Sequence, residues 1–574
     1  MPEPFKRVLI TAALPYNNGR IHIGHLAGCY IPADIYHRHL LMSGVETLFV
    51  CGSDEHGVAI TLKAIKEGVS PREIIDRYHP ENERAFKKAG MSFDIYGRTS
   101  WPEHIPLTQH FFTRLSDCGH IASGETVQYF SEKMQMFLPD RYVEGTCPRC
   151  HKDGARGDQC DHCGSTYDVT ELLNPRSALP GDNSTPVRKT TRHWSFQLDH
   201  FEAPLKAWLA TKTDWRPNVL GQAKSWLTPA EGAATALRPR QITRDTDWGV
   251  KIPVADADAA NKRIYVWFDA PIGYITNTKV FFDRQGKPEG WKPWWQDPAT
   301  RLVQFMGKDN IVFHTIIFPA MLMGQQENYI LPDNVVANEF LNIGGEKGSK
   351  SKGTAPPEVE AIVDRFGADR VRYYFTANAP EGKDSEFTWE DFRERTNGEL
   401  ADVLGNFIHR TVTFTHKNFE AKVPVNSGYT ELESAAIAGL LRGAAEVRAL
   451  LDTFRFRQAL SRAVEVAREG NRAFDALQPW VTRKQDLARC ATSIHCCLQL
   501  AAGLTILFEP FVPEGVAKIR RFLNLPDTVH WSDLKDGAIL PAGAALDKPV
   551  VVFEKLTPEQ LPGAVPADAA GKAG

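Results

Sequence analysis

KRVLITAALPYNNGRIHIGH, residues 6–25, sets the fold class. Its first nine residues are an apolar run rich in Val, Leu and Ile, the pattern of a strand buried on both faces. PYNNGR then reads as a turn, and a helical pattern runs on to about Met42, where Ser43-Gly44 makes a glycine-terminated end. TLFVCG (47–52) is a second buried strand, too short for a helix, and further helices are predicted over about 71–89 and 103–118. Strand, tight turn, helix and strand in succession predict a parallel sheet in an α/β domain.

Further along, this alternation stops. Residues 120–240 are richer in Gly, Pro and Thr and carry four clustered cysteines. The α/β pattern resumes with RIYVWFDAPIGY (263–274), LVQFMG (302–307) and an apolar helix over 311–323. Beyond 396 the periodicity is helical, with few strand signals, as in a bundle. The expected architecture is therefore a doubly wound, Rossmann-type domain (1–119 and 241–330) interrupted by an insert (120–240). A loop-bearing region (331–395), an all-α bundle (396–555) and a mobile Pro/Ala/Gly-rich tail (556–574) follow.

Totals exclude several classes. With 574 residues, 43% hydrophobic and 24% charged, the chain is neither disordered nor fibrous. The longest apolar run taken from the sequence, Ile311–Gly324, is interrupted by His314 and Pro319 and falls short of the ~20 residues a membrane span needs. MPEPFKRVLITAALPY lacks the charged, apolar, small-residue order of a signal peptide, so a cytoplasmic protein is expected. A net charge of −3 does not by itself advertise a nucleic-acid partner.

CPRCHKDGARGDQCDHC (147–163) holds two Cys-x2-Cys pairs nine residues apart. Four thiolates close a tetrahedral Zn2+ site with no open position, so Cys147, Cys150, Cys160 and Cys163 predict one structural zinc. The other six cysteines read as small apolar core residues.

Two segments point to phosphate chemistry. His22 and His25, three apart at a helix start, share a face beside backbone N–H groups and the positive end of the helix dipole. GGEKGSKSKG (344–353) places Lys347, Lys350 and Ser351 in a glycine-rich loop. Lysine acts on phosphate as a point charge, and glycine lets backbone close around it. Either alone is weak; together, some 320 residues apart, they resemble the HIGH and KMSKS signatures of class I aminoacyl-tRNA synthetases. Gly348 stands where that family usually has Met. ALPYNNGRIHIGH, CGSDEHG, ITRDTDWGVKIP, YVWFDAPIGY, FMGKDNIVFH and NRAFDALQPW, together with the cysteine insert, resemble the methionine-specific branch over nearly the whole chain.

That resemblance implies activation of methionine by ATP, with Mg2+ arriving on the nucleotide, and transfer to tRNA(Met), initiator and elongator. His22, His25, Lys347 and Lys350 become the catalytic candidates, and His22, Gly24, His25, Lys347, Lys350 and Ser351 the ATP contacts. Leu14, Tyr16, Asp54, Trp267, Ala270, Pro271, Tyr274 and His314 match positions around the amino acid, Asp54 facing its ammonium. Asn310 stands where Ile is common and is left out. Aromatic walls suit a thioether, which offers no strong hydrogen bond, and homocysteine is the expected competitor. Asn406, Arg410 and Trp480 match readers of the CAU anticodon. A monomer without a membrane partner is expected. The rival readings are a small-molecule nucleotidyltransferase, which the helical extension with Trp480 disfavours, and a non-catalytic tRNA-binding derivative, which the intact His22, His25 and Lys350 disfavour.

Overall fold

A computed structural model describes residues 5–138, 142–156, 160, 162–163, 167–179, 181–229, 232, 234–343 and 356–562. Lys347, Gly348, Lys350 and Ser351 lie outside the described residues. Five strands, β1 (Arg7–Ala12), β2 (Glu46–Ser53), β3 (Ile95–Arg98), β4 (Thr300–Gly307) and β5 (Asn334–Asn338), form one parallel sheet in the order β5-β4-β1-β2-β3. The strand order reverses between β1 and β4. There the carboxyl ends diverge and open a crevice, the place where such sheets bind ligands.

Behind β1 the helix opens with a turn, Ile23–His25, widens to π-type geometry over Leu26–Tyr30 and continues as Ile31–Met42. It ends, as its sequence predicts, at Gly44 with φ 71°. Pro71–Lys88, opened by a Ser70/Glu73 capping box, and His104–Asp117 stand within a residue or two of their expected bounds. Val58–Glu67 is a helix the sequence reading did not single out.

Four expectations need correction. Residues 263–274 do not add a strand to the central sheet. Lys262–Ile264 pairs antiparallel with Thr243–Asp245, and the chain turns at once into helices Val266–Asp269 and Ile272–Asp283. An apolar run buried on all sides looks the same in either conformation. The boundary at 330 cuts the sheet, because β5 lies beyond it and bonds to β4. The tail is anchored at its start: Asn397 exchanges two hydrogen bonds with the Leu556 backbone, Arg365 Nε donates to the Gln560 carbonyl, and Leu561 is buried. The most apolar long segment is Leu487–Phe508 rather than 311–324. It is the one described helix long and apolar enough to cross a membrane, and it forms the enclosed centre of the bundle.

Between β3 and β4 the insert departs on a long antiparallel ribbon, Ile121–Ser131 with Val187–Phe196. It carries a three-stranded sheet of Asp153–Arg156, Val143–Thr146 and Leu173–Ser177 over its own small core. The bundle (Asn406–Asn418, Glu431–Asp452, Phe456–Leu477, Leu487–Phe508, Pro513–Phe522) shares one apolar cluster with the helix behind β1. Asp34 is the polar joint between them, pairing with Arg38 at 2.8 Å and Arg372 at 2.7 Å, while Arg372 also donates to the carbonyls of Pro510 and Phe511.

Candidate active site and its remote helical groove

A cleft of about 730 Å³ opens at the carboxyl ends of β1 and β4. Every described residue expected to touch ATP or the amino acid lines it: His22, Gly24, His25, Leu14, Tyr16, Asp54, Trp267, Ala270, Pro271, Tyr274 and His314.

At the helix start the geometry differs from the expected amide cradle. The Gly24 N–H donates to His22 Nδ1 at 3.2 Å and the His22 N–H to His25 Nδ1 at 3.1 Å. Ile23 N–H donates to the Pro357 carbonyl. These amides are therefore used internally, and the two imidazoles line the cleft. Because each Nδ1 accepts, the proton of each neutral ring sits on Nε2. The rings lie 3.8 Å apart. Gly24 makes room for this fold-back, since a Cβ there would meet the His22 ring at 3.1 Å. Pro357–Val359, just beyond the undescribed lysine loop, bridges residues 21–23 through two backbone hydrogen bonds.

The polar groups at the end of β2 are unequal. Glu55 accepts from Arg98 Nε at 2.8 Å, Asn17 Nδ2 at 2.9 Å and Ser53 Oγ at 2.8 Å. Asp54, also buried, pairs with no cation among the described residues, and its Oδ1 has no hydrogen-bond partner among them. Burial, with the charges of Asp269 and Glu55 adding to it, pushes its carboxyl well above the usual range. The opposite wall is aromatic, with Trp267 packed edge-on to Phe313 at 4.9 Å. His314 Nδ1 donates to the Asn310 carbonyl at 2.9 Å, so Nε2 of the neutral ring accepts from Tyr274 Oη at 2.9 Å. Burial lowers His314 to about 4, which keeps it neutral. This pair satisfies itself and leaves an uncharged wall.

Sequence reasoning missed Arg20, Asp309, Phe313 and Glu339, which also line the cleft, and Lys308, which pairs with Glu339. Lys308 bonds Glu339 at 2.7 Å and Asp384 at 2.8 Å. Lys308, Asp309 and Phe313 lay inside the quoted FMGKDNIVFH, the available signal. Asn310, left out, takes part through its carbonyl.

In the insert, Cys147, Cys150, Cys160 and Cys163 form a group that could hold a metal ion. Sulfur separations are 3.8 Å for Cys147–Cys163 and 3.7 Å for Cys150–Cys160. Thiolates ~2.3 Å from a tetrahedral ion lie about 3.8 Å apart, so the donor set fits. The amides of Arg149 and Cys150 donate to Cys147 Sγ.

Far from the cleft, Asn406 and Arg410 lie one turn apart on Asn406–Asn418. Arg410 stacks 4.2 Å over Phe474 and donates to Asp475 and the Asn471 carbonyl, so its guanidinium is partly committed. Phe474 lies 6.1 Å from Trp480, which is 46% exposed rather than a core tryptophan. Asn406 also borders a groove of about 350 Å³ with His409 and residues 551–555, which sequence reasoning did not find.

Residues 8–412 match the family model described as tRNA synthetases class I (M), and 423–564 match the anticodon binding domain of methionyl tRNA ligase. A methionine–tRNA ligase of Bacteroides fragilis is 47% identical over 97% of this chain and 80% of its own length. That of Flavobacterium johnsoniae is 44% identical over 98% of this chain and 81% of its own. The Mycobacterium tuberculosis methionyl-tRNA synthetase in complex with methionyl-adenylate superposes with a TM-score of 0.77 at 26% identity, covering 96% of this chain and 99% of that one.

Proposed function

Because the chain belongs to the methionine–tRNA ligase family of class I tRNA synthetases, we propose a role in that reaction for each group lining the cleft. The reaction activates L-methionine with ATP to methionyl-adenylate and pyrophosphate, then moves methionine to the 3′-terminal ribose of tRNA. Both nucleophiles come from the substrates, so the protein's task is positioning and electrostatic stabilisation. One observation carries the assignment: Asp54, a buried carboxyl at the wall of the cleft with no counter-ion among the described residues. The substrate ammonium supplies the missing cation. Leu14, Tyr16, Trp267, Ala270, Pro271, Tyr274 and His314 then surround the thioether, and the neutral Tyr274–His314 pair offers it no competing charge.

His22 and His25 donate from Nε2 to the α-phosphate as the methionine carboxylate attacks, with Gly24 keeping the first ring folded back. Lys347, Lys350 and Ser351 take the leaving pyrophosphate. Mg2+ enters as part of the nucleotide substrate, on phosphate and water. Zn2+ on the four cysteines holds the 120–240 insert in shape, and metal analysis is expected to return one zinc per chain.

Asn406, Arg410 and Trp480 read the CAU anticodon of tRNA(Met), initiator and elongator alike. Arg410 contributes by stacking as well as by hydrogen bonding, given its internal partners. The chain divides into catalytic halves at 1–119 and 241 to the end of β5, the insert, a lysine-loop region to 395, and the bundle from 396. It acts as a cytoplasmic monomer.

The test is methionine-dependent exchange of labelled pyrophosphate into ATP, run across all twenty amino acids and repeated with Asp54→Asn. Exchange with methionine alone, and a variant whose methionine KM rises while its ATP KM holds, are the expected results. An unchanged methionine KM would remove Asp54 from the site.

A further inference from the structure

We propose that Asp269, with the two histidines it holds, is a positioning residue that fixes the separation between Asp54 and the apolar walls of the methionine pocket. The proposal rests on the assignment of those pocket residues to methionine.

Asp269 and His104 have no exposed surface, and His56 is nearly as buried. His56 Nδ1 lies 2.5 Å from Asp269 Oδ2, and His104 Nε2 lies 2.6 Å from Asp269 Oδ1. An ionised carboxylate only accepts, so both bonds are donated by the rings. Burial alone would push Asp269 up, but His104 and His56 more than reverse it and hold the carboxyl below its usual range.

The three side chains also form a compact group of metal-ligand type. Yet each nitrogen sits at charge-assisted hydrogen-bond distance from its own carboxylate oxygen. Protons occupy the positions a cation would need, and the arrangement is a bridge.

What the bridge joins gives it a role. His56 lies two residues beyond Asp54, just after β2. Asp269 lies between Trp267 on one side and Ala270 and Pro271 on the other, in the turn that forms the pocket wall. His104 opens the helix His104–Asp117, and its Nδ1 pairs with Thr276 Oγ1 at 2.8 Å, on the helix that carries Tyr274. The receptor for the ammonium and the walls for the thioether are thus tied at one buried point. Gly57 (φ 112°) lets the first segment pass against the second, where a Cβ would meet Val266 at 3.3 Å. None of the bridge residues lines the cleft, so none touches substrate. A pocket that selects by contact alone depends on such spacing, since a displacement of ~1 Å can cost 10²-fold.

The experiment is pyrophosphate exchange on the full chain carrying Asp269→Asn, His104→Ala or His104→Gln, with melting curves as the folding control. Asp269→Asn and His104→Ala are expected to raise the methionine KM by about tenfold, to leave the ATP KM within about twofold, and to narrow the preference for methionine over norleucine. His104→Gln, whose amide still donates, is expected to recover most of the loss, and the two His104 variants decide the matter if Asp269→Asn does not fold. Folded variants with unchanged methionine KM and selectivity would overturn the proposal. So would a parallel rise in both KM values, or more than one metal ion per purified chain. If Asp54→Asn raises the methionine KM and the bridge variants do not, the bridge fails and the site stands. If none of them does, the site assignment itself fails.

Discussion

Asp34 and Asp54 are both buried, at 0% and 4% exposure, yet they have opposite electrostatics. Asp34 meets Arg38, Arg372 and the Ser92 amide and hydroxyl, and although burial pushes its carboxyl up, the two arginines carry it below the usual range. Asp54 meets no cation among the described residues, and burial carries it above that range. Burial is common to both, and partners are not. Where the chain supplies every partner, a carboxylate is a joint between the catalytic fold and the bundle. Where no described residue supplies one, the proposed ammonium of the substrate would complete the pair.

Breaking the joint should have the largest effect. Asp34→Ala removes the carboxylate paired directly with buried Arg372 and should cost about 3–5 kcal/mol, read as a lower denaturant midpoint. An unaltered midpoint would mean that the carbonyls of Pro510 and Phe511 alone satisfy Arg372.

Asp54→Asn should do the reverse, sparing stability while weakening methionine by at least about 2 kcal/mol, roughly thirtyfold in KM. The pH dependence carries its own sign. Ammonium binding needs the ionised carboxylate, and the raised pKa means protonation sets in at higher pH than for an ordinary aspartate. Methionine KM should therefore climb as pH falls, ATP KM should not, and Asp54→Asn should flatten the methionine profile.

Some of this contrast was legible in the sequence. The buried strand, turn and helix of 6–42 follow from local periodicity, and the cysteine group from spacing. DEH at 54–56 shows three adjacent polar residues and no hint of which is left unpaired. That depends on Arg98, 43 residues from Glu55, and on Asp269, 213 residues from His56. The capture of helix amides by His22 and His25 is also hidden, because it depends on ring orientation. So are the π-type turns at Leu26–Tyr30, Phe313–Ile317 and Thr396–Gly405, each beside a candidate site. The segment 263–274 misled because uniform burial erases the difference between strand and helix patterns.

The bundle offers a smaller test, since it carries no withheld charge of this kind. Trp480 is half exposed and stands beyond the Arg410–Phe474 stack. Base stacking is worth about 1–3 kcal/mol, so Trp480→Ala should lower kcat/KM for tRNA by that amount and leave pyrophosphate exchange untouched. A drop in exchange as well would place Trp480 in the fold rather than in recognition.

Glu509 is a third, largely buried acid, close to the first of the two aspartates through a shared arginine. It lies 3.5 Å from Arg38, the same arginine that serves Asp34, and its side chain is 18% exposed. Arg38 and Arg372 pull its carboxyl down, but burial outweighs them and raises it to about 7. The folded state therefore holds the proton more tightly than the unfolded chain does. That contribution to stability is complete below the ordinary glutamate range and is lost as pH rises through about 7. Gln imitates the protonated form, so Glu509→Gln should nearly match the parent at pH 4.5 and exceed it by up to about 3 kcal/mol at pH 8.5. Equal stability at both pH values would mean that Arg38 is shared evenly and that Glu509 is a second Asp34. A gain already present at pH 4.5 would trace the benefit to packing instead of charge.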